Sequence, residues 1–402
     1  MAIESPPVDL LILGAGIAGC ALAHHVAERR LGSVRVYDPR TPAAGASGRA
    51  AGVVTEQLWD HWDVEVTRES HHEYSTLCRR WEPTAYRQNG FLRWTRDAEA
   101  AQVMAEAKER LRSWGVEVEE PSIADLERLV PEGRFNDVTS ALYSRHDACV
   151  TPSALTALYA ESARRAGVVF DFGQPMRSIR REGALWKVEA AGMEHRARRV
   201  VLAAGAWSKK LLEEVGHPAP LCPYRTQAAL LRPPKAPAEL FPTVHDVDLD
   251  VYVRPEDRGR ILGGDGTEHV EADPERFATG GDPGFLAHLA ASLADRLPGW
   301  ADCEVVSSWA GVCTSTPDRH PLVGPVPGAT GLYIMTGFNG FGVMRAGGTA
   351  RRLADLLADG EDSGAARDAL RPVWPGRFTN STPTSFAPKP GFTLEGGDDP
   401  RF

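Results

Sequence analysis

Val8-Asp9-Leu10-Leu11-Ile12-Leu13-Gly14-Ala15-Gly16-Ile17-Ala18-Gly19-Cys20 decides the architecture of this chain. A short apolar run leading straight into a glycine loop reads as a strand buried on both faces of a parallel sheet. Cys20 to Arg29 then predicts a helix closed near Gly32, and Val34 to Tyr37 a second strand with Asp38 at its end. In such a β-α-β unit each glycine has its own task. Gly14 turns tightly out of the strand, Gly16 lets backbone amides approach a pyrophosphate, and Gly19 lets helix and strand pack closely. The helix start, through Ala15, Ile17 and Ala18, offers free N–H groups and a positive dipole end to an anion. Asp38 stands close to the roughly 20-residue spacing expected of a carboxylate that accepts from ribose hydroxyls. Asp38, Pro39 and Arg40 therefore join the loop as candidate dinucleotide-binding residues.

Composition sets the outer limits. The chain has 402 residues, 43% hydrophobic and 25% charged, enough apolar material for two packed lobes. The formal net charge of −9 is spread along the sequence without a basic block, which argues against nucleic acid as a partner. No apolar run approaches the ~20 residues that span a bilayer. The acidic N-terminus lacks the cationic start of a secretory signal. Six cysteines without a CxxC pair or metal-like spacing predict a reduced, cytoplasmic setting and no metal site.

Farther along, Ala98 to Trp114 predicts an amphipathic helix, Val116 to Val118 a short strand, and Thr151-Pro152 a helix start with proline in the first turn. Val168 to Phe172 predicts a strand followed by a meander, and Val200 to Gly205 returns to the buried-strand pattern. Residues 220–260 are strand-rich and broken by prolines, as in an antiparallel sheet; Leu286, Leu289, Leu293 and Leu297 mark a helix stripe. Leu332 to Met335, Gly337 to Gly342 and Val343 to Leu357 predict strand, glycine turn and helix. The fold class is α/β with an α+β second lobe: a Rossmann-type FAD/NAD(P)-binding domain carrying an inserted antiparallel-sheet substrate domain. Residues 1–80, 145–215 and 305–360 are assigned to the first, 81–144 and 216–304 to the second, and 361–402 to an extended or disordered tail.

The loop alone does not choose between FAD and NAD. Beyond it lies another small-residue stretch, Gly45-Ala46-Ser47-Gly48-Arg49-Ala50-Ala51-Gly52, in place of a second complete mononucleotide half. Ser47 can donate to a phosphate and Arg49 can neutralise charge. With Thr151-Pro152, Ala203-Ala204-Gly205-Ala206-Trp207-Ser208, Tyr252-Val253-Arg254-Pro255, Trp309-Ala310-Gly311, Thr316-Pro317-Asp318 and Gly337-Phe338-Asn339-Gly340-Phe341-Gly342, the chain resembles the D-amino acid oxidase superfamily of flavoproteins. It is most similar to the sarcosine oxidase, dimethylglycine oxidase and glycine oxidase branch. The resemblance implies FAD as cofactor. It implies that Ala46, Ser47, Ala51, Gly52 and Val53 line the pyrophosphate and isoalloxazine, and that Met176 meets the adenine. Ala203, Ala204, Gly205 and Trp207 would close the cradle, and Phe338, Asn339, Gly340, Phe341, Gly342, Val343 and Met344 would follow the pyrimidine edge of the flavin. A glycine turn opening a helix there would stabilise the negative charge of reduced flavin.

Three positions depart from the family pattern. Cys313 stands where an arginine usually clamps the substrate carboxylate. Gly311 stands where monomeric sarcosine oxidases carry the cysteine bonded to flavin, so the FAD is expected to be non-covalent. Ile261 takes the place of the lysine that promotes reaction with oxygen, which leaves oxygen or an electron-transfer partner as acceptor. The folate-binding half of dimethylglycine oxidases is not expected in this chain.

The reaction class implied is hydride transfer from the carbon next to nitrogen, giving an imine that water hydrolyses. A positively charged site favours the required neutral amine. Arg49, Arg254 and Arg345 are candidate carboxylate partners. Tyr252, sharing a strand face with Arg254, could bond the same carboxylate, and His320 could titrate near neutral pH. Two alternatives stay open: an FAD-dependent dehydrogenase of a hydroxy acid or glycerol phosphate, and a flavin-binding subunit or assembly protein without turnover. Homo-oligomeric or heteromeric assembly fits either.

Overall fold

A computed structural model describes residues 3–4, 6–173, 175–190, 193–237, 241–265 and 271–378. The apolar run around Leu10 forms β1 (Val8–Leu13), followed by α1 (Ile17–Glu28) and β2 (Val34–Asp38). Next come α2 (His61–Trp81), β3 (Phe91–Thr95), α3 (Ala98–Ser113) and β4 (Ser140–Ser144). The chain returns through α4 (Pro152–Arg165), β5 (Val169–Phe172) and the meander β6 (Met176–Glu182), β7 (Leu185–Ala190) and β8 (Met193–Leu202). It leaves again through β9 (Cys222–Arg232), β10 (Thr243–Asp246), β11 (Val251–Glu256), β12 (Arg260–Asp265), α5 (Pro283–Arg296) and β13 (Glu304–Ser315). β14 (Leu322–Pro325), β15 (Leu332–Thr336), α6 (Gly342–Asp359) and α7 (Gly364–Leu370) finish it.

One nine-stranded sheet is built on the parallel row β5-β2-β1-β8. Beyond β8, its C-terminal half pairs in parallel with β15, and its N-terminal half continues into the antiparallel meander. Alternation along β1 sends Leu10 and Ile12 into one core and Leu11 and Leu13 into another on the opposite face. That is why Leu10 to Leu13 is apolar without a break. Among the described residues there are two further sheets, one of three short strands and one of seven in the order β13-β9-β12-β11-β10-β3-β4. α5 covers one of its faces, with Leu289 packed against Gly263, and the opposite face carries Tyr252 across from Gly264.

Several expectations need correction. β13 pairs along its length with β9, so residues 304–315 belong to the seven-stranded sheet and not to the dinucleotide sheet. That sheet is not wholly antiparallel: β3 and β10, brought from two separate excursions of the chain, run parallel. Val116 to Val118 forms no strand; only a bridge from Glu119 to Tyr143 is present. Residues 361–378 fold as α7 and short turns instead of an extended tail, and Arg377 fastens them to Asp318. The rest of the expected tail, 379–402, lies outside the described residues.

α2 seats α6. Gly348 passes so close that an added Cβ would lie 2.4 Å from the Val66 carbonyl oxygen, and its amide donates to Ser70 Oγ at 2.8 Å. Tyr74 donates to the Val343 carbonyl at 2.7 Å. Backbone cannot give way as a flexible side chain can, so Gly348→Ala should force the helices apart. We expect a loss of about 1–3 kcal/mol, read as a lower urea midpoint with an unchanged slope; a wild-type midpoint would count against this packing.

Candidate functional site

The glycine loop is built by close backbone approach. Gly14 has φ +115°, and a Cβ there would lie 2.4 Å from the Ala203 carbonyl oxygen; at Gly19 it would lie 2.0 Å from the Gly14 oxygen. Neither position tolerates a side chain. Asp38 pins the loop from the next strand: its carboxylate accepts from the Ala15 and Arg40 amides, both at 2.8 Å. Burial raises the pKa of this carboxyl, and the two amides act against that shift. The Ile17 amide donates to Ser47 Oγ at 2.9 Å, which ties the second small-residue stretch to the start of α1. The Ala18 N–H, also in the first turn and on the cavity wall, has no intrahelical acceptor.

A cavity of about 810 Å³ is lined both by this loop and by the seven-stranded sheet. Ser47, Arg49, Ala51, Gly52 and Val53 form part of its wall, as do Pro39, Arg40 and Ala46. Met176, Ala203, Ala204, Gly205 and Trp207 line it from the meander side. Gly311 and the turn from Phe338 to Met344 also line it. Gly337 and Gly340 (φ +79° and +84°) and Asn339 (φ +53°) bend this turn so that α6 begins at the wall. Thr314 Oγ1, on the same wall and 5% exposed, has no hydrogen-bond partner among the described residues. A cavity of this size, walled by an anion-accepting loop and by an orphaned buried hydroxyl, fits a dinucleotide with a flat ring system.

Other candidates lie elsewhere. Arg254 shares a face with Tyr252 as expected, but its guanidinium binds the Ala51 and Pro255 carbonyls and the Glu256 carboxylate, and it is not on the cavity wall. Arg345 is fully buried, bonded to Asp63 and to the Phe338 carbonyl, so it holds the turn from behind. His320 sits 3.6 Å from Asp63 Oδ2, also off the wall. Arg49 reaches the wall, but one guanidinium nitrogen donates to the Ala44 and Gly45 carbonyls at 2.6 and 3.2 Å. Ala15 and Gly19 act through the loop backbone and do not line the cavity.

Sequence reasoning missed much of the wall on the seven-stranded sheet, including Tyr224, Gln227, Asp250 and Asp265. Alternation along β9, which puts Tyr224 and Thr226 on one face, was the available signal; nothing local singles out the two acids. Both wall phenols are pushed far above their ordinary pKa, Tyr224 by burial and then Cys313, Tyr252 by burial and then Asp265. They remain neutral donors. Among the described residues, this sheet contributes Asp250 and Asp265 to the wall and no cation; Arg40, Arg49, Arg177 and Lys210 line it elsewhere.

The family model for FAD dependent oxidoreductases (DAO) matches residues 9–356, and the chain belongs to this FAD-dependent family. Dimethylglycine dehydrogenase of Rattus norvegicus is 27% identical over 390 residues, covering 89% of this chain and 45% of that protein. The chain thus spans less than half of that relative. Glycine oxidase of Geobacillus kaustophilus is 25% identical over 87% of this chain and 92% of its own. The crystal structure of L-proline dehydrogenase from P. horikoshii matches with a TM-score of 0.85 at 22% identity, over 93% of this chain and 98% of that one, a likeness of fold.

If Asp38 holds the loop as described, Asp38→Ala strands two amides. FAD affinity should fall by about tenfold to a hundredfold, the equivalent of 1–3 kcal/mol, in a fluorescence titration of the apoprotein. Unchanged affinity would refute the role.

Proposed function

We propose that the protein uses non-covalently bound FAD to oxidise the carbon–nitrogen bond of a small amine or amino acid. FAD, when bound, accepts two electrons and one hydrogen as hydride. The substrate becomes an imine, and water converts the imine to carbonyl compound and amine. Carrying this reading is the continuity of one cavity from the α1 loop to the Tyr224–Tyr252 wall, in a chain whose relatives are named as dehydrogenases and oxidases of such compounds.

The chain's own residues suit the task. Tyr224 and Tyr252 bring neutral phenols to the wall beside which a substrate would lie. His245, buried behind the wall, lies 3.3 Å from Asp250 Oδ1, so the pair can receive the proton that the amine loses before hydride departs. The α6 amides face the turn at Phe338 to Met344, where developing negative charge is stabilised. No helix among the described residues is long and apolar enough to cross a membrane. None of the six cysteines is in a disulfide, the thiol usage on which we propose a cytoplasmic setting. Ile261 is buried in the layer beneath α5 and Arg260 binds the Asp257 carbonyl, so no cation from β12 faces the cavity. The acceptor is oxygen or an electron-transfer partner.

Anaerobic mixing with secondary, tertiary and cyclic amines should bleach the flavin band at least about tenfold faster than mixing with hydroxy acids or glycerol phosphate. Bleaching by a hydroxy acid alone would move the assignment to an alcohol dehydrogenase, and no bleaching to a subunit without turnover.

A further inference from the structure

We infer that α1 and α2 form a metal site between them, in which His24, His25 and Glu73 bind a first-row divalent cation such as Zn²⁺. None of the three residues is on the cavity wall, so the site stands apart from the reaction assigned above. One ligand atom from each lies within 4.8 Å of those of the other two. Adjacent residues of a helix ordinarily point about 100° apart, yet here both imidazoles reach α2, their ring centroids 5.0 Å apart. His25 Nε2 is 3.1 Å and His24 Nε2 is 4.0 Å from Glu73 Oε1. Donors about 2.0–2.1 Å from a tetrahedral zinc stand about 3.3 Å from one another, so small side-chain movements close the set.

Other contacts prepare these side chains for a metal. Ser162 Oγ on α4 is 3.0 Å from His24 Nδ1, and Glu28 Oε2 is 3.4 Å from His25 Nδ1. With the ring hydrogen on each Nδ1, both Nε2 lone pairs are left on the side of Glu73. Tyr159 donates to Glu73 Oε1 at 2.7 Å and so orients the carboxylate. Glu28 Oε1, 3.5 Å from His24 Nε2, or water can take a fourth position. Glu28 is exposed, which gives a cation a way in from solvent.

Buried atoms that lack partners point to the ligand. His25 is 2% exposed, and its Nε2 makes no hydrogen bond among the described residues, being out of line with Glu73 Oε1 despite the short approach. Glu73 is 8% exposed, and its Oε2 accepts no hydrogen bond either, the Arg351 guanidinium standing 3.6 Å away. A buried ring nitrogen and a carboxylate oxygen left in this way cost stability, and a cation between them removes that cost. Two imidazoles with one carboxylate suit zinc, whereas Mg²⁺ and Ca²⁺ take oxygen ligands. A similar trio, Asp60, Asp63 and His320, differs in that Arg345 already neutralises Asp63. The bound metal would join the helix that opens at the glycine loop to the one that seats α6.

The FAD-loaded protein, without a histidine tag, is stripped with a chelator and titrated with Zn²⁺ against a metallochromic dye, with Mg²⁺ as control. One Zn²⁺ per chain should bind with a Kd of about 1 μM or tighter, and Mg²⁺ should not compete. Saturating Zn²⁺ should raise the melting temperature by several degrees. His24→Gln and Glu73→Gln, checked for retained FAD, should each weaken Zn²⁺ binding about tenfold or more, whereas His320→Gln should leave it unchanged. X-ray absorption at the zinc edge of the wild-type protein should show two imidazoles and no sulfur around the metal, a readout that depends on the folding of no variant. No saturable binding, binding untouched in both His24→Gln and Glu73→Gln, loss of binding in His320→Gln, or a zinc without paired imidazoles would overturn the inference and leave a plain histidine–carboxylate contact. None of these outcomes bears on amine oxidation, which the anaerobic bleaching decides.

Discussion

The structure depends on a place where three pieces of backbone touch with no side chain between them. The Gly14 α-carbon lies against the Ala203 carbonyl, and Gly19 lies against the carbonyl of Gly14. These approaches hold α1 against β1 and the end of β8, leaving the first helical turn open toward the cavity. The same device recurs nearby: a Cβ at Gly48 would lie 2.3 Å from the Ala43 oxygen, and one at Gly52 2.1 Å from the Val150 oxygen. The small-residue segment from Gly45 to Gly52 can therefore lie flat along the wall, with Ser47 bonded to the start of α1.

The far side of the cavity is held by polar contacts instead. Arg345 joins the Phe338 carbonyl to Asp63 on α2, both ends of the pair being fully buried. Breaking a buried pair leaves an uncompensated charge and costs about 3–5 kcal/mol, so the glycine turn is anchored where it faces the ring site. Arg254 does the same for the Ala51 carbonyl. Two arginines that look like ligand-binding groups thus act as struts for the walls around the ligand.

This division explains what could be read from sequence. A glycine that admits no Cβ leaves its mark at one letter, and the apolar run of β1 records burial on both faces; the loop, the early strands and α6 after its glycine turn were legible for these reasons. The direction of a guanidinium is set by partners remote in sequence, Ala51 for Arg254 and Asp63 for Arg345, so their tasks were not. The extent of α2 was not legible because Asp63, Thr67 and Ser70 are buried among its apolar residues, which blurs the stripe that marks a helix. The wall acids are invisible for a similar reason: Asp250 and Asp265 gain meaning only when β11 and β12 pair.

The central claim is that the loop and the cavity hold one FAD. Protein isolated without added cofactor, then precipitated with acid, should release FAD into the supernatant at one molecule per chain, with no flavin left on the pellet. A colourless, folded preparation that fails to take up FAD, or one that binds NAD in its place, would contradict the account.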